Sequence, residues 1–86
     1  NINEGLSASR GGKQIVGAAM MNNLGAVYGE EGKPSKSIDF YEAYLTVARR
    51  FGTEYDQAIA YNNLGLAYYA VSQYYEAVEN YKSALK

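Results

Sequence analysis

The chain has 86 residues, 48% of them hydrophobic, and its eight Lys and Arg against nine Asp and Glu give a formal net charge of −1. This length allows one small domain at most, and the hydrophobic fraction argues against a disordered chain. The charge balance argues against a nucleic-acid partner, and the longest apolar run is far shorter than the ~20 residues that a membrane helix needs.

The composition also limits the chemistry that the chain can perform. It contains no cysteine, which excludes disulfides and thiolate catalysis and fits a reducing, cytoplasmic compartment. It contains no histidine, which removes the commonest general base and the commonest metal ligand. Acidic pairs such as Glu76 and Glu79 are therefore interpreted as a solvated face. We predict no enzymatic activity, no metal site and no cofactor.

The first helix is predicted over about 13–31. Before it, residues 1–12 are rich in small and polar side chains, and they are predicted to be the tail of a preceding unit or a disordered leader. Apolar and small residues then recur at spacings of three and four, which is the period of an α-helix. They are Met21, Leu24, Gly25 and Tyr28.

A second helix is predicted over about 34–51. Gly32 interrupts the first helix, and Pro34 suits the first position of the next one, where its missing N–H would have no helical partner. Gly52 is predicted to end this helix. Its apolar face carries Ile38, Tyr41, Leu45 and Ala48.

The third and fourth helices are predicted over about 54–71 and 74–86. Thr53 and Asp56 form a near capping box at the start of the third helix, and the turn to the fourth lies at 71–73. The apolar face of the third helix carries Tyr61, Leu64, Gly65 and Tyr68, and that of the fourth carries Ala77, Val78, Tyr81, Ala84 and Leu85.

The two predicted hairpins are copies of one repeat. Gly25 and Gly65 are 40 residues apart, and the same shift relates Asn22-Asn23-Leu24 to Asn62-Asn63-Leu64. A period in this range is typical of a solenoid, in which each unit buries its apolar face against a neighbour. We therefore predict two units, 13–52 and 53–86, in an all-α fold.

Glycine in the interior of a helix costs about 1 kcal/mol relative to alanine, so its recurrence at one phase of the repeat needs a packing reason. We expect the missing side chain of Gly65 to allow a close helix–helix contact with Ala77. Tyr68 and Tyr81 are expected to fill the space around that contact.

These residues resemble the tetratricopeptide repeat. Its pattern is an aromatic residue, Leu-Gly three and four residues later, Tyr three further on, and then alanines around an aromatic residue on the second helix. The second unit matches at Tyr61, Leu64, Gly65, Tyr68, Ala77, Tyr81 and Ala84, and the first matches at Leu24, Gly25, Tyr28 and Tyr41. The first unit departs at Met21, and at Ser37 and Tyr44, where small alanines are usual.

The resemblance implies a right-handed superhelical stack of helix pairs. The usual repeat has 34 residues, so a period of 40 is similar to the longer-repeat subclass of Pins-type adaptors, rapsyn and kinesin light chain. The resemblance also implies a non-enzymatic scaffold or adaptor. In such a protein the first helices of the pairs line a concave groove that binds a peptide segment of a partner.

The resemblance also indicates which side chains face this groove. They are Ala19, Asn22, Asn23, Ala26 and Glu30 on the first helix, and Ile59, Asn62, Asn63, Leu66 and Tyr69 on the third. The asparagines could grasp a peptide backbone, because their amides both donate and accept; alternatively, Asn23 and Asn63 bond within the repeat. None of these positions is Lys or Arg, which argues against a clamp for carboxylates.

The alternative function is self-association. An apolar surface that includes Val78 and Leu85 is predicted to stay open, and it would pair with another copy or stack on further repeats of a longer protein. Tyr69, Tyr74 and Tyr75 lie outside the predicted core. They are expected either to pack at the turn and at an open end of the solenoid, or to form a contact surface.

Overall fold

The computed structural model describes the backbone of residues 2–86 and the side chains of residues 13–86. This part of the chain contains four helices and no strand. The helices are α1 (Ile2–Glu30), α2 (Pro34–Phe51), α3 (Glu54–Ala70) and α4 (Tyr74–Leu85). The predicted all-α helical-repeat fold is confirmed, and the predicted bounds of α2, α3 and α4 agree with the observed ones to within one residue.

Helix α1 begins at Ile2 rather than near residue 13, so its predicted start is wrong. Glycine lowers helix propensity without blocking the helical backbone as proline does, and no proline precedes Pro34. The assignment of residues 1–12 to a preceding unit or a leader rests on side chains outside the described part, and it stays a prediction.

The two hairpin turns have the same backbone design. The N–H groups of Lys33 and Gln73 each donate to the carbonyl five residues earlier, at 2.8 and 2.9 Å. The residues before them, Gly32 and Ser72, have positive φ angles of 77° and 63°. This is the Schellman motif, whose left-handed position favours glycine because a Cβ is strained there. The second turn therefore carries strain at Ser72 that the first turn avoids.

We expect Ser72→Gly to raise the free energy of unfolding by up to about 1 kcal/mol, because glycine removes the left-handed strain at a small cost in chain entropy. Urea unfolding followed by circular dichroism measures this change. The matched control is Gly32→Ser, which should lower stability by a similar amount. A loss of stability in Ser72→Gly would show that this turn is not strained.

The helices pack in chain order, α1 on α2, α2 on α3 and α3 on α4. Two buried clusters lie along α2. One contains Ala18, Tyr44, Ala48 and Ala60, and the other contains Tyr41, Leu64 and Ala67. Because each cluster includes residues of both α2 and α3, this interface joins the two hairpins into one body.

The structure accommodates the two departures from the repeat pattern on α2. Tyr44 is 4% exposed among small alanines, and its hydroxyl lies 3.5 Å from Oδ1 of Asp56. Ser37 is 1% exposed, and its hydroxyl donates to the carbonyl of Gly25 at 2.6 Å. Both polar groups thus have partners, so neither departure leaves an unsatisfied group in the core.

The interior glycines make room for tyrosine rings. A Cβ added to Gly65 would lie 2.5 Å from Cε1 of Tyr81, and one added to Gly25 would lie 2.6 Å from Cε1 of Tyr41. Ala77 is buried, but the atoms nearest to the missing Cβ of Gly65 belong to Tyr81. The ring of Tyr81 therefore fills the space beside Gly65 as expected, and the expected contact of Gly65 with Ala77 stays a prediction.

The expectation that Leu24 belongs to the packed face is wrong. Its side chain is 44% exposed, whereas Leu64, at the same position of the repeat, is 2% exposed. Leu64 packs in the α2–α3 cluster, whereas Leu24 belongs to neither buried cluster of the described residues. The motif identifies a residue suited to burial, and burial itself depends on the neighbouring helix.

Candidate functional site

The predicted groove residues differ in exposure. Seven are exposed, namely Ala19, Asn23, Ala26, Glu30, Asn62, Leu66 and Tyr69, and three are half-buried, namely Asn22, Ile59 and Asn63. The exposed members on α1 are small or polar, whereas α3 contributes the two large apolar ones. Glu30 is the one charged residue among these ten positions, so the candidate site is nearly neutral.

A hydrogen bond between two asparagines joins α1 to α3. Nδ2 of Asn63 donates to Oδ1 of Asn22 at 2.6 Å. The bond runs between the two repeat units, so it is not the within-repeat bond considered for Asn23 and Asn63. This bond uses one donor and one acceptor, so each side chain keeps further hydrogen-bonding capacity. Asn23 and Asn62 flank the pair, and both are exposed.

Two of the predicted groove residues make contacts within the protein. Ile59 packs against the buried cluster that contains Tyr44, so its side chain supports the core. The ring of Tyr69 lies 5.5 Å from that of Tyr74, centroid to centroid, across the α3–α4 turn. Tyr69 is still 62% exposed. The tyrosine pair therefore packs at this turn while keeping an exposed aromatic surface.

A small apolar cavity of about 100 Å³ lies beside Leu66. Its other lining residues are Gly29, Pro34, Ser37, Tyr41, Ala67 and Ala70. This volume is several times the ~30 Å³ that one water molecule occupies in the liquid, so a small aliphatic side chain could enter. Sequence reasoning identified Leu66 but missed the cavity, because residues from three helices form it.

Burial raises the pKa of three tyrosines in or near the α2–α3 interface. These tyrosines are Tyr41, Tyr44 and Tyr68, and burial is the largest cause of the raised pKa of each. The neighbouring Asp56 raises the pKa of Tyr44 further. The hydroxyl of Tyr68 also donates to Oε1 of Glu42 at 3.0 Å, which favours the neutral phenol. All three effects oppose ionisation in the folded state.

We therefore expect the protein to lose stability above pH 10. A phenol whose folded pKa is raised above its unfolded value contributes stability that is complete below the unfolded value and is lost as the pH rises through the folded value. Melting temperatures between about pH 8 and pH 11 measure this loss. Tyr44→Phe should flatten the alkaline decline relative to the wild type. An equal decline in this variant and the wild type would contradict the assignment.

The described residues contain no cluster of three His, Cys, Asp or Glu side chains that could hold a metal ion. No helix within that range combines the length and the apolar character needed to span a membrane. The polar groups of the candidate site are four amides, one carboxylate and the hydroxyl of Tyr69. Such groups recognise a ligand by hydrogen bonds.

A second candidate surface runs along α1. Val16, Met20, Leu24 and Val27 are exposed at 57%, 61%, 44% and 50%. We call these four residues the α1 stripe. Sequence analysis missed the stripe because it assigned Leu24 to the packed face. The 40-residue shift could have identified the stripe, because it relates Met20, Leu24 and Val27 to residues of α3 that are buried in the structure.

A matching apolar surface lies on α4. Val78 and Leu85 are 48% and 87% exposed, and Tyr81 lies between them, half-buried. We call these three residues the α4 stripe. It includes both residues predicted from the sequence to stay open.

Two antiparallel helix pairs packed in chain order, with an asparagine bond joining their first helices, define a helical-repeat protein. A family model described as the tetratricopeptide repeat matches residues 8–86. The chain therefore belongs to the tetratricopeptide repeat family. No curated protein and no solved structure matches it.

Proposed function

We propose that the chain is a non-enzymatic interaction module that binds a peptide segment of another protein along α1 and α3. Repeats of this family generally mediate protein–protein interaction. The observation that carries the proposal is the exposed arc on these two helices, which presents amides together with Leu66 at an apolar cavity. We propose no nucleic-acid partner, no membrane partner and no cofactor.

The proposed recognition combines two kinds of contact. Asn23 and Asn62 are exposed, and their amides suit the alternating donors and acceptors of a peptide backbone. Leu66 is 55% exposed beside the cavity, which suits a small aliphatic side chain of the peptide. The absence of Lys and Arg from the ten groove positions favours a neutral segment over an acidic tail.

Selection from a phage-displayed random peptide library tests this proposal. The selected peptides should contain a small aliphatic residue, and binding is then measured by fluorescence anisotropy. We expect Asn62→Ala and Leu66→Ala each to weaken binding by about tenfold or more, which corresponds to about 1.4 kcal/mol. Their melting temperatures should stay close to that of the wild type, because both side chains are exposed.

Two controls make the test specific. Glu79→Ala changes an exposed residue of α4 and should leave binding unchanged. Asn63→Ala removes the bond to Asn22 and should lower stability as well as binding. Failure to select any peptide, or unchanged binding in both Asn62→Ala and Leu66→Ala, would contradict a groove at this position.

Two finer assignments belong to the same proposal. We propose that the repeats are of the longer subclass similar to Pins-type adaptors, rapsyn and kinesin light chain. The 40-residue spacing of Gly25 and Gly65, and that of the positive-φ residues Gly32 and Ser72, support this. We also propose a cytoplasmic location, which the absence of cysteine supports.

Self-association is the second proposed function. The α1 stripe and the α4 stripe support it, because exposed contiguous apolar surface on a small protein marks a site of interaction. The two stripes lie at opposite ends of the helix order, on the first helix and on the last.

A further inference from the structure

We propose that two copies of this chain stack head to tail, with the α1 stripe of one copy packed on the α4 stripe of the other. The inference rests on the second proposed function. Its junction shares the amides of Asn23 and Asn62 with the proposed groove, whereas Leu66 and the apolar cavity belong to the groove alone. The inference is carried by the internal α2–α3 interface, which the repeat allows us to compare, position by position, with the two exposed surfaces.

Three of the four residues of the α1 stripe occupy positions that α3 buries against α2. A shift of 40 residues relates Met20 to Ala60, Leu24 to Leu64, and Val27 to Ala67. All three α3 residues are at most 5% exposed. A partner with the surface of α2 would therefore bury the α1 stripe as α2 buries α3.

The α4 stripe has that surface. The same shift relates Val78 to Ile38, Tyr81 to Tyr41 and Leu85 to Leu45, and the three α2 residues all belong to or pack against the cluster around Leu64. Each apolar position of α2 in this cluster thus has an apolar counterpart on α4. The α1 helix of the second copy can pack against α4 of the first copy in the register that α3 adopts against α2 within one chain.

The sizes of the side chains at the new junction compensate for one another. Inside the chain, the large Tyr44 packs with the small Ala60 in one buried cluster. At the junction, the corresponding residues are the small Ala84 and the large Met20. A cavity of about 330 Å³ lies beside Ala84. The longer methionine of the second copy therefore meets open space where the internal interface has a tyrosine.

The polarity of the junction is also matched. The internal contact between the Tyr44 hydroxyl and Asp56 would become a contact between Ala84 and Val16, so both polar groups are replaced together. A junction that kept only one of them would leave that group without its partner. In this arrangement the exposed, apolar Val16 of one copy faces the apolar Ala84 of the other.

Two internal hydrogen bonds also have counterparts that can form across the junction. The bond from Asn63 to Asn22 corresponds to one from Asn23 of the second copy to Asn62 of the first, with the same two amides. The contact of Tyr68 with Glu42 corresponds to one between Tyr28 and Lys82, in which the ammonium donates to the phenol oxygen.

This association joins two different surfaces, so each copy keeps one unused stripe and further copies can add. Sedimentation equilibrium from about 1 μM to about 1 mM should therefore show a mass that rises with concentration to at least about twice that of the monomer. Met20→Glu disables the α1 stripe and Leu85→Glu disables the α4 stripe. Each variant alone should remain monomeric over the whole range.

The deciding sample is the equimolar mixture of the two variants. Each retains the stripe that the other lacks, so the mixture should form a 1:1 dimer that grows no further. Both positions are more than half exposed, so the variants should fold, and circular dichroism checks this. Glu79→Gln, at an exposed α4 position outside the stripe, is the matched control and should associate like the wild type.

Three results would overturn the proposal. A wild-type monomer at every concentration would mean that a second copy does not cover the stripes, as when further repeats of a longer protein occupy them. Association that persists in either variant would indicate a symmetric interface or another surface. A mixture without a dimer would exclude the head-to-tail register. No peptide is present and Leu66 is unchanged, so none of these results bears on the groove.

Discussion

Leu64→Ala should lower the free energy of unfolding by roughly 2–5 kcal/mol, the range observed when a buried leucine is truncated and leaves a cavity. The side chain is 2% exposed, and it packs with Tyr41 and Ala67 in the cluster that joins α2 to α3. A small domain is stable by only about 5–15 kcal/mol, so the change should be plain in urea unfolding followed by circular dichroism.

Leu24→Ala is the matched control, because Leu24 occupies the same position of the repeat. Its side chain is 44% exposed, so its truncation should cost about 1 kcal/mol or less. The unfolding of both variants should be measured at low micromolar protein concentration. Association through the α1 stripe then adds nothing to the measured stability. Equal losses in the two variants would show that the face of α1 is covered after all.

Gly65→Leu should destabilise the protein by about 1–3 kcal/mol through overpacking. Even a Cβ at this position would lie 2.5 Å from the ring of Tyr81, so the tyrosine must move to admit any side chain. Gly25→Leu should have an effect in the same range, since Tyr41, which faces it, is 8% exposed. Melting temperatures of the variants measure both changes.

Two comparisons separate overpacking from a general effect of replacing glycine. Gly17 lies in α1 with no atom within 4 Å of an added Cβ, so Gly17→Ala should stabilise the protein by up to about 1 kcal/mol through helix propensity. In a Tyr81→Ala background, Gly65→Ala should likewise stabilise, because the ring is gone. A loss of stability from Gly65→Ala in that background would rule out the ring as the cause.

The course of the chain could be predicted from local signals. Pro34 begins α2, and Thr53 and Asp56 form the predicted capping box, with N···O distances of 2.9 and 3.2 Å. Such signals depend on a few neighbouring residues, so a sequence displays them directly. The start of α1 was missed because glycines weaken a helix without forbidding it.

Contacts between helices were predicted less well. The motif treats Leu24 and Leu64 alike, and only the position of α2 distinguishes them. The cluster that buries Tyr44 includes Ala18 and Ala60, which come from two other helices. Among the groove residues, the bond between Asn22 and Asn63 depends on the approach of α1 to α3, which spacing along one helix does not reveal.

The packing of helices in chain order also determines how the chain folds. The main interfaces within the described residues each join helices that are consecutive in the sequence, so the closing loops are short and little entropy is lost before the first contacts form. Proteins rich in such local contacts fold within microseconds to milliseconds. The chain should therefore fold fast, and either helix hairpin could serve as the nucleus, because in a linear array each unit propagates order only to its neighbour.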